Sequence, residues 1–433
     1  MIKIHIMQEI VEVKIGSEIG KLNGVILHTP GEEVENMTPE NAERALYSDI
    51  INLSIAKEEY RQISGVLSKV TRTYEVKDLL HNILKNEDVK LEVLNRIQTI
   101  EPEILEKTPR GSVKSKLMDM DAATLSRLLI EGVEMDKDNL TKFLSDDWYS
   151  LRPMHNLFFT RDASMSWNDK VVIGRMASNV RKREAIIMKS IFDFTPEFNT
   201  RTLLIPDDIS QGIRPTIEGG DFLVAREDIL LIGCGCRTNT LGIDKILNEC
   251  ITDKTGTRHI IAQQLPLSPE SFIHLDMVFT ILDHDKCMTF EPLILNPSSP
   301  YKTVHMTIEN GKLVSIKEEE NIISALKGLG MDMQPVLCGG ADEWNQEREQ
   351  WHSGANFFCI EPGKVLGYAR NNYTIEAMNN AGFEIIKAND VISGKIDIGS
   401  YKKCVVTMEG SELPRGGGGA RCMTMPINRN SVK

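Results

Sequence analysis

Four stretches of this 433-residue chain carry residue types that could do chemistry together. The first is Leu413-Pro-Arg-Gly-Gly-Gly-Gly-Ala-Arg-Cys422, where four successive glycines lead to a cysteine. Ordering four glycines costs backbone entropy, so the run marks a flexible segment or a place where backbone passes close to something else. One reading is a loop that delivers the Cys422 thiol to a site; the other is a loose tail with an incidental cysteine. The second stretch is His274-Leu-Asp276, ahead of a strand-like run. At strand period two both side chains face one side, and a carboxylate favours the charged histidine. Such a pair suits proton transfer for a thiol, and it equally suits a structural contact. The third, Glu218-Gly-Gly-Asp221, sets two acids around a glycine pair, either in a pocket or on a solvated turn. The fourth, Asn156-Leu-Phe-Phe-Thr-Arg-Asp162, offers an acid that could take two N–H bonds from a planar cation, or that pairs with Arg161. Arg181 and Arg237 could hold a carboxylate, although most arginines are surface residues. Cys234-Gly-Cys236 has no second pair or histidine at ligand spacing, so no metal site is expected there. A thiol, a histidine and several acids suit attack on a cationic carbon, and a guanidinium fits best. A carbonyl would ask for an oxyanion hole instead of a cage of acids.

These residues need elements that bring them together. Gly24 to Pro30 reads as a strand, and Thr38-Pro-Glu-Asn41 as a helix cap. Apolar positions Ile55, Ala56, Tyr60, Ile63, Leu67 and Val70 recur at helical spacing over 53–70. From about Val76 to Asp147 helical patterns dominate and strand runs are nearly absent, which predicts an inserted bundle of four or five helices. Beyond Asp147, buried strands are expected at Lys170, Ile229, Asp276, Asn356 and Lys403, with helices such as Lys182 to Phe192 and Asn371 to Ala381 between them. This alternation predicts an α/β fold. The polar stretches, with Gly339 to Trp344 counted as a further one, fall at near-regular intervals beside strand ends. A ring of similar units would gather them.

The net charge of −12 argues against nucleic-acid and anionic-lipid partners. No apolar run has membrane-spanning length, and Met1-Ile-Lys-Ile-His-Ile lacks the regions of a signal peptide. Eight dispersed cysteines read as a reduced, cytoplasmic set.

In order along the chain, Val25-Ile-Leu-His-Thr-Pro-Gly31, Asn156 to Asp162, Ile217-Glu-Gly-Gly-Asp221, His274-Leu-Asp-Met-Val-Phe-Thr280, Glu347-Arg-Glu-Gln-Trp351 and Arg421-Cys-Met-Thr-Met-Pro426 resemble the motifs of the arginine deiminases. The resemblance implies a five-fold pseudo-symmetric α/β propeller (pentein) over 1–75 and 148–433, with a helical bundle inserted over 76–147. It implies hydrolysis of free L-arginine to citrulline and ammonia without cofactor or metal, in a cytoplasmic homo-oligomer. It also implies roles: Cys422 as nucleophile, His274 as general acid and base, Asp162 and Asp276 on the guanidinium, and Glu218 behind His274. Arg181 and Arg237 would take the substrate carboxylate, with Asn156, Phe159, Asp221 and Arg415 completing the binding site. Two positions depart from the family pattern: Gly417 stands where a second arginine is usual, and Tyr47-Ser48-Asp49 where Phe-Asp-Asp is usual. The competing readings are a hydrolase or amidinotransferase for another guanidino compound, and an arginine-binding relative without catalysis.

Overall fold

The computed structural model of the chain describes residues 10–38, 42–47, 49–105, 111–210, 212–252 and 258–432. Five of its sheets repeat one topology: an antiparallel strand pair, a hairpin in four of them and in the remaining one a pairing of segments from opposite ends of the chain, then a helical crossover to a strand parallel to the pair's second member. The pairs join Met425–Arg429 with Leu22–Leu27, Ser164–Trp167 with Lys170–Ile173, Phe222–Arg226 with Ile229–Cys234, Phe279–Asp283 with Lys286–Thr289, and Phe358–Glu361 with Lys364–Tyr368. Their parallel partners are Arg72–Glu75, Arg201–Leu204, His259–Gln264, Gln334–Leu337 and Cys404–Met408. Parallel pairing needs a long crossover, which the helices supply, and it buries both faces of a strand. Continuous apolar runs such as Ile229-Leu-Leu-Ile232 satisfy that demand and are fully buried.

The first strand of every pair starts a few residues after a polar stretch. Asp162 precedes Ser164–Trp167, Glu218 and Asp221 precede Phe222–Arg226, and His274 and Asp276 precede Phe279–Asp283. Cys422 precedes Met425–Arg429. In the remaining unit the residue at this place is Asn356, ahead of Phe358–Glu361. The sequence expectation had been Gly339 to Trp344, which instead joins the strand Gln334–Leu337 to the helix Glu343–Trp351 and leaves Trp344 exposed.

Between Val76 and Phe143 five α-helices occur among the described residues, as the patterns predicted. Their apolar faces share one core with the sheet-covering helix Lys182–Phe194: Leu80, Leu94, Ile97 and Leu129 join Ile187, Met188 and Ile191. The two-residue strand Val133–Glu134 pairs with Tyr149–Leu151 where this stretch returns to the sheets. No helix among the described residues is long and apolar enough to cross a membrane.

The helix Leu53–Val70 matches its periodicity, with Ala56, Tyr60, Ile63 and Leu67 buried; Ile55 falls on its exposed side. Asn52 caps it through the N–H groups of Ser54 and Ile55. The expected cap at Thr38-Pro-Glu-Asn41 runs into positions outside the described residues. On the buried face sits an acid, Glu59. Its carboxylate accepts the successive backbone N–H groups of Ser411, Glu412 and Leu413, together with the Ser411 hydroxyl. This clamp fixes the base of the glycine loop, with Gln62 of the same helix accepting the Glu409 N–H just before it. Glu59→Ala should therefore orphan buried donors and lower the unfolding free energy by more than about 2 kcal/mol, read by urea denaturation. A loss within experimental error would show that the clamp is not needed.

Candidate active site

The sequence expects His274 and Asp276 on one face of a strand. They lie instead on a one-turn 3-10 helix, Leu275–Met277, with His274 at its N-cap. The turn is held by Asp221, whose Oδ1 accepts the Leu275 N–H at 2.9 Å. Gly219 and Gly220 matter here for space, since neither adopts a left-handed backbone. A Cβ on Gly219 would lie 2.0 Å from the Arg161 carbonyl oxygen, and one on Gly220 would lie 2.4 Å from His274 Nδ1. The glycine pair thus lets two neighbouring units close on each other.

Around His274 the charges are dense and buried. Its Nε2 donates to Glu218 Oε2 at 3.1 Å, and its Nδ1 is 3.7 Å from Asp162 Oδ1. Glu218 Oε1 in turn accepts the Ala177 N–H. Burial alone would drive the imidazole towards neutrality, but the charges of Asp162 and Asp221 and the Glu218 hydrogen bond raise it to about 9. The reverse holds for Asp162 and Glu218: burial opposes their charge, yet His274 and Arg181 keep both carboxyls below the usual range. Asp221 has less cationic support, and burial lifts it to about 7.

Cys422 is 3 % exposed. Its Sγ receives the Asn356 Nδ2–H at 3.1 Å and lies 3.7 Å from Asp276 Oδ2. Burial and the charges of Asp276 and Asp162 push the thiol well above its ordinary pKa. The preceding Arg421 is buried and holds the backbone at Cys422 in place. Its Nε and Nη2 bind the two Glu18 oxygens at 3.0 and 3.1 Å, and its Nη1 binds Asp276 Oδ2 at 2.8 Å. Glu18, Asn356 and Arg421 were not anticipated as site residues. The position of Asn356 ahead of a hairpin strand was the signal that could have found it.

The other expected residues divide. Arg181 is not free for a substrate carboxylate in this arrangement. It is buried, with Nη1 on Asp162 Oδ2 at 2.6 Å and Nη2 on Glu184 Oε2 at 2.8 Å. Three acids surround it, so it serves as their counter-ion. Arg237 is half-buried, has no hydrogen bond or ion pair among the described residues, and its charge reaches Asp162 and Glu218. Asn156 donates to the Ala45 carbonyl oxygen at 2.8 Å. Phe159 forms the floor under Gly416 and Gly418. Arg415 departs from its expected binding role: it sits at the outer end of the loop, tied to Glu412 at 2.9 Å and to Asp49. The alternative Arg161–Asp162 ion pair is not formed among the described residues; Arg161 Nε donates to the Arg421 carbonyl oxygen. Gly417 has φ of +86° and open space beside it, while Ser48 lies outside the described residues.

A cleft of about 1300 Å³ runs between the helical stretch and the sheets and is lined by both signs of charge, including Arg44, Asp147, Arg175 and Asp207. Asn156 borders it, whereas the Cys422 thiol does not. Asp162, Glu218 and His274 could each offer one atom to a metal ion, within 4.8 Å of one another. Arg181 and a protonated His274 already balance those acids, and a protonated imidazole is no ligand. The acids leave two buried acceptors open: Asp162 Oδ1 and Asp221 Oδ2 have no hydrogen-bond partner among the described residues. Such an atom is costly unless a donor arrives, and a planar cation beside Cys422 would supply one. Gly220→Ala should push the His274 ring away from Glu218 and bring its titration down from about 9, read by NMR of the ring nitrogens. An unchanged titration would refute this account of the glycine.

Family comparison agrees with the geometry. The arginine deiminase family model matches residues 43–429. The arginine deiminase of Streptococcus uberis is 31 % identical over 97 % of this chain and 98 % of its own length. That of Borrelia recurrentis is 30 % identical over 98 % of this chain and all of its own. Among solved structures, SxtG, an amidinotransferase from Microseira wollei, shares the fold at 14 % identity with a TM-score of 0.54, covering 98 % of each chain. The chain belongs to the arginine deiminase family.

Proposed function

We propose that this chain hydrolyses the guanidinium group of free L-arginine to L-citrulline and ammonia. The observation that carries the reading is the buried Cys422 thiol, 3.7 Å from Asp276, in one charged cluster with Asp162, Glu218 and a protonated His274. The names of the curated relatives support the same substrate.

In this reading the substrate's own charge starts the reaction. The acids hold Cys422 as a neutral thiol. A guanidinium against Asp162 and Asp276 cancels their field and lowers the cost of ionising the sulfur, whose proton leaves by way of Asp276, its acceptor at 3.7 Å, to solvent. The thiolate then forms a bond to the guanidinium carbon, whose π electrons move onto nitrogen. His274 gives its proton to one terminal nitrogen; that C–N bond breaks and ammonia leaves. The product is an S-amidino intermediate on Cys422 with a neutral His274. Water attacks the same carbon and passes one proton to His274; the C–S bond breaks, the hydroxyl gives up its second proton, which the expelled ammonia takes up in solvent, and citrulline and the thiolate are released, the sulfur then regaining its proton. Glu218 keeps the ring oriented and stabilises its cation. Arg237 is the available partner for the substrate carboxylate, with Asn156 at the border of the cleft.

The same reading extends to architecture. A closed five-unit propeller over 1–75 and 148–433, with the helices of 76–147 inserted, is supported by the way the apolar cores chain the sheets together. The first sheet shares a core with the second through Ile26 and Val171, and with the fifth through Val25 and Phe358. The second shares one with the third through Val172 and Val224, and the third, fourth and fifth share another. We place the enzyme in the cytoplasm as a homo-oligomer, as the resemblance implies.

Cys422→Ser should give no citrulline from L-arginine while binding the substrate in calorimetry; normal turnover by that variant would remove the nucleophile assignment. Because His274 is raised to about 9, its imidazolium dominates below that pH and is lost above it. In kcat/KM for L-arginine, which reports the free enzyme, the limb set by His274 should fall as pH rises through about 9. A kcat/KM that keeps climbing beyond this range would rule out His274 as the acid.

A further inference from the structure

The charges of Asp276 and Asp162 oppose an anionic Cys422 sulfur, yet the proposed reaction needs a negative sulfur there twice, at attack and at release of the intermediate. The Arg421 charge and a hydrogen bond from the Gly419 backbone work against those acids. A side-chain donor joins them: Asn356 Nδ2 reaches Sγ at 3.1 Å. Its amide cannot be turned the other way. Oδ1 accepts the backbone N–H groups of Arg421 and Cys422 at 2.9 and 3.2 Å, which only the carbonyl end can do. The other Nδ2 hydrogen has the Asp276 carbonyl oxygen at 3.1 Å. The amide is buried, and Gly419 makes room for it: a Cβ there would lie 2.7 Å from Asn356 Cβ and Oδ1. At the equivalent place before a hairpin strand, three other units carry acids: Asp162, the Glu218–Asp221 pair, and the His274–Asp276 stretch. An aspartate in place of Asn356 could still accept the two backbone N–H groups. It could not donate to sulfur, and it would add a further negative charge.

We propose that Asn356 is a catalytic residue that stabilises the Cys422 thiolate through Nδ2–H, while its Oδ1 fixes the backbone carrying the sulfur. This rests on the reading of Cys422 as nucleophile. A fixed dipole aimed at the atom where charge develops acts without reorganisation, which is why a single such donor can be worth about a hundredfold in rate.

The test compares the full-length protein with Asn356→Asp and Asn356→Ala. Alkylation of Cys422 by iodoacetamide is followed against pH by mass spectrometry, beside kcat and KM for L-arginine and circular dichroism for folding. In Asn356→Asp the alkylation midpoint should rise by about one pH unit or more, and kcat should fall about a hundredfold or more with KM changed less than about threefold. Asn356→Ala should shift the midpoint in the same direction by less. In the unsubstituted protein the Asn356 side-chain amide signal in NMR should move as the thiol is alkylated, a readout independent of whether either variant folds. Folded variants with an unmoved midpoint, or an amide signal indifferent to the thiol, overturn the inference. If Cys422→Ser itself turns over, the nucleophile reading has failed, whatever Asn356 does.

Discussion

The buried guanidinium of Arg421 is the contact on which the site depends. At 1 % exposure it must be paired, because an isolated charge in such surroundings carries a prohibitive desolvation cost. Its partners come from across the chain. Glu18 lies just before the first sheet, Gly219 and Phe222 supply carbonyl oxygens from the third, and Asp276 leads into the fourth. Burial would raise the Glu18 carboxyl, yet Arg421, together with Arg161 and Arg429, takes it down to about 2. One cation therefore fixes the relative positions of three units, and the next residue along is Cys422. Removing either acid would leave the cation buried and unmatched, which typically costs about 3–5 kcal/mol.

A second charged group sits above this one and is organised differently. Arg181 is held by Asp162 and Glu184, with Glu218 4.0 Å away, and here acids outnumber fixed cations. Glu184 is lifted to about 7 by burial despite its contact with Arg181. His274 makes up part of the difference by staying protonated. The lower cluster is a closed structural lock, whereas the upper one has an unpartnered oxygen on Asp162 and a neutral thiol beside it. That contrast separates the part of the centre that holds the fold from the part able to receive a cation.

Much of the upper cluster, and Asp276 of the lower one, was legible in the sequence. Cys422, His274, Asp162, Glu218 and Asp276 each stand in a short polar stretch that interrupts apolar strands, and such interruptions are visible locally. The helix Leu53–Val70 and the strands were legible for the same reason, through the period of their apolar residues. What was hidden depends on pairing at long range. Glu18 looks like an ordinary surface acid until Arg421 arrives from 403 positions away. Glu59 sits among apolar helix positions with no local hint that residues 411–413 need an acceptor. Arg181 and Arg415 were given ligand-binding roles because an arginine's type says nothing about which acids it meets. The glycines of 219–220 were read as a backbone requirement, while the structure makes them a steric one, since His274 and Arg161 occupy the space.

The closed, neutral state of Cys422 has a consequence for the protein's durability. Oxidants and electrophiles attack the thiolate form, and they need access to it. Here the sulfur is kept protonated by its own acids and almost wholly out of solvent, so its resting form is chemically quiet. The arrangement confines high nucleophilicity to the interval in which a cation of the right shape is present. A cysteine used in this manner can be strongly reactive towards one class of molecule and still survive a long life among peroxides and other thiols.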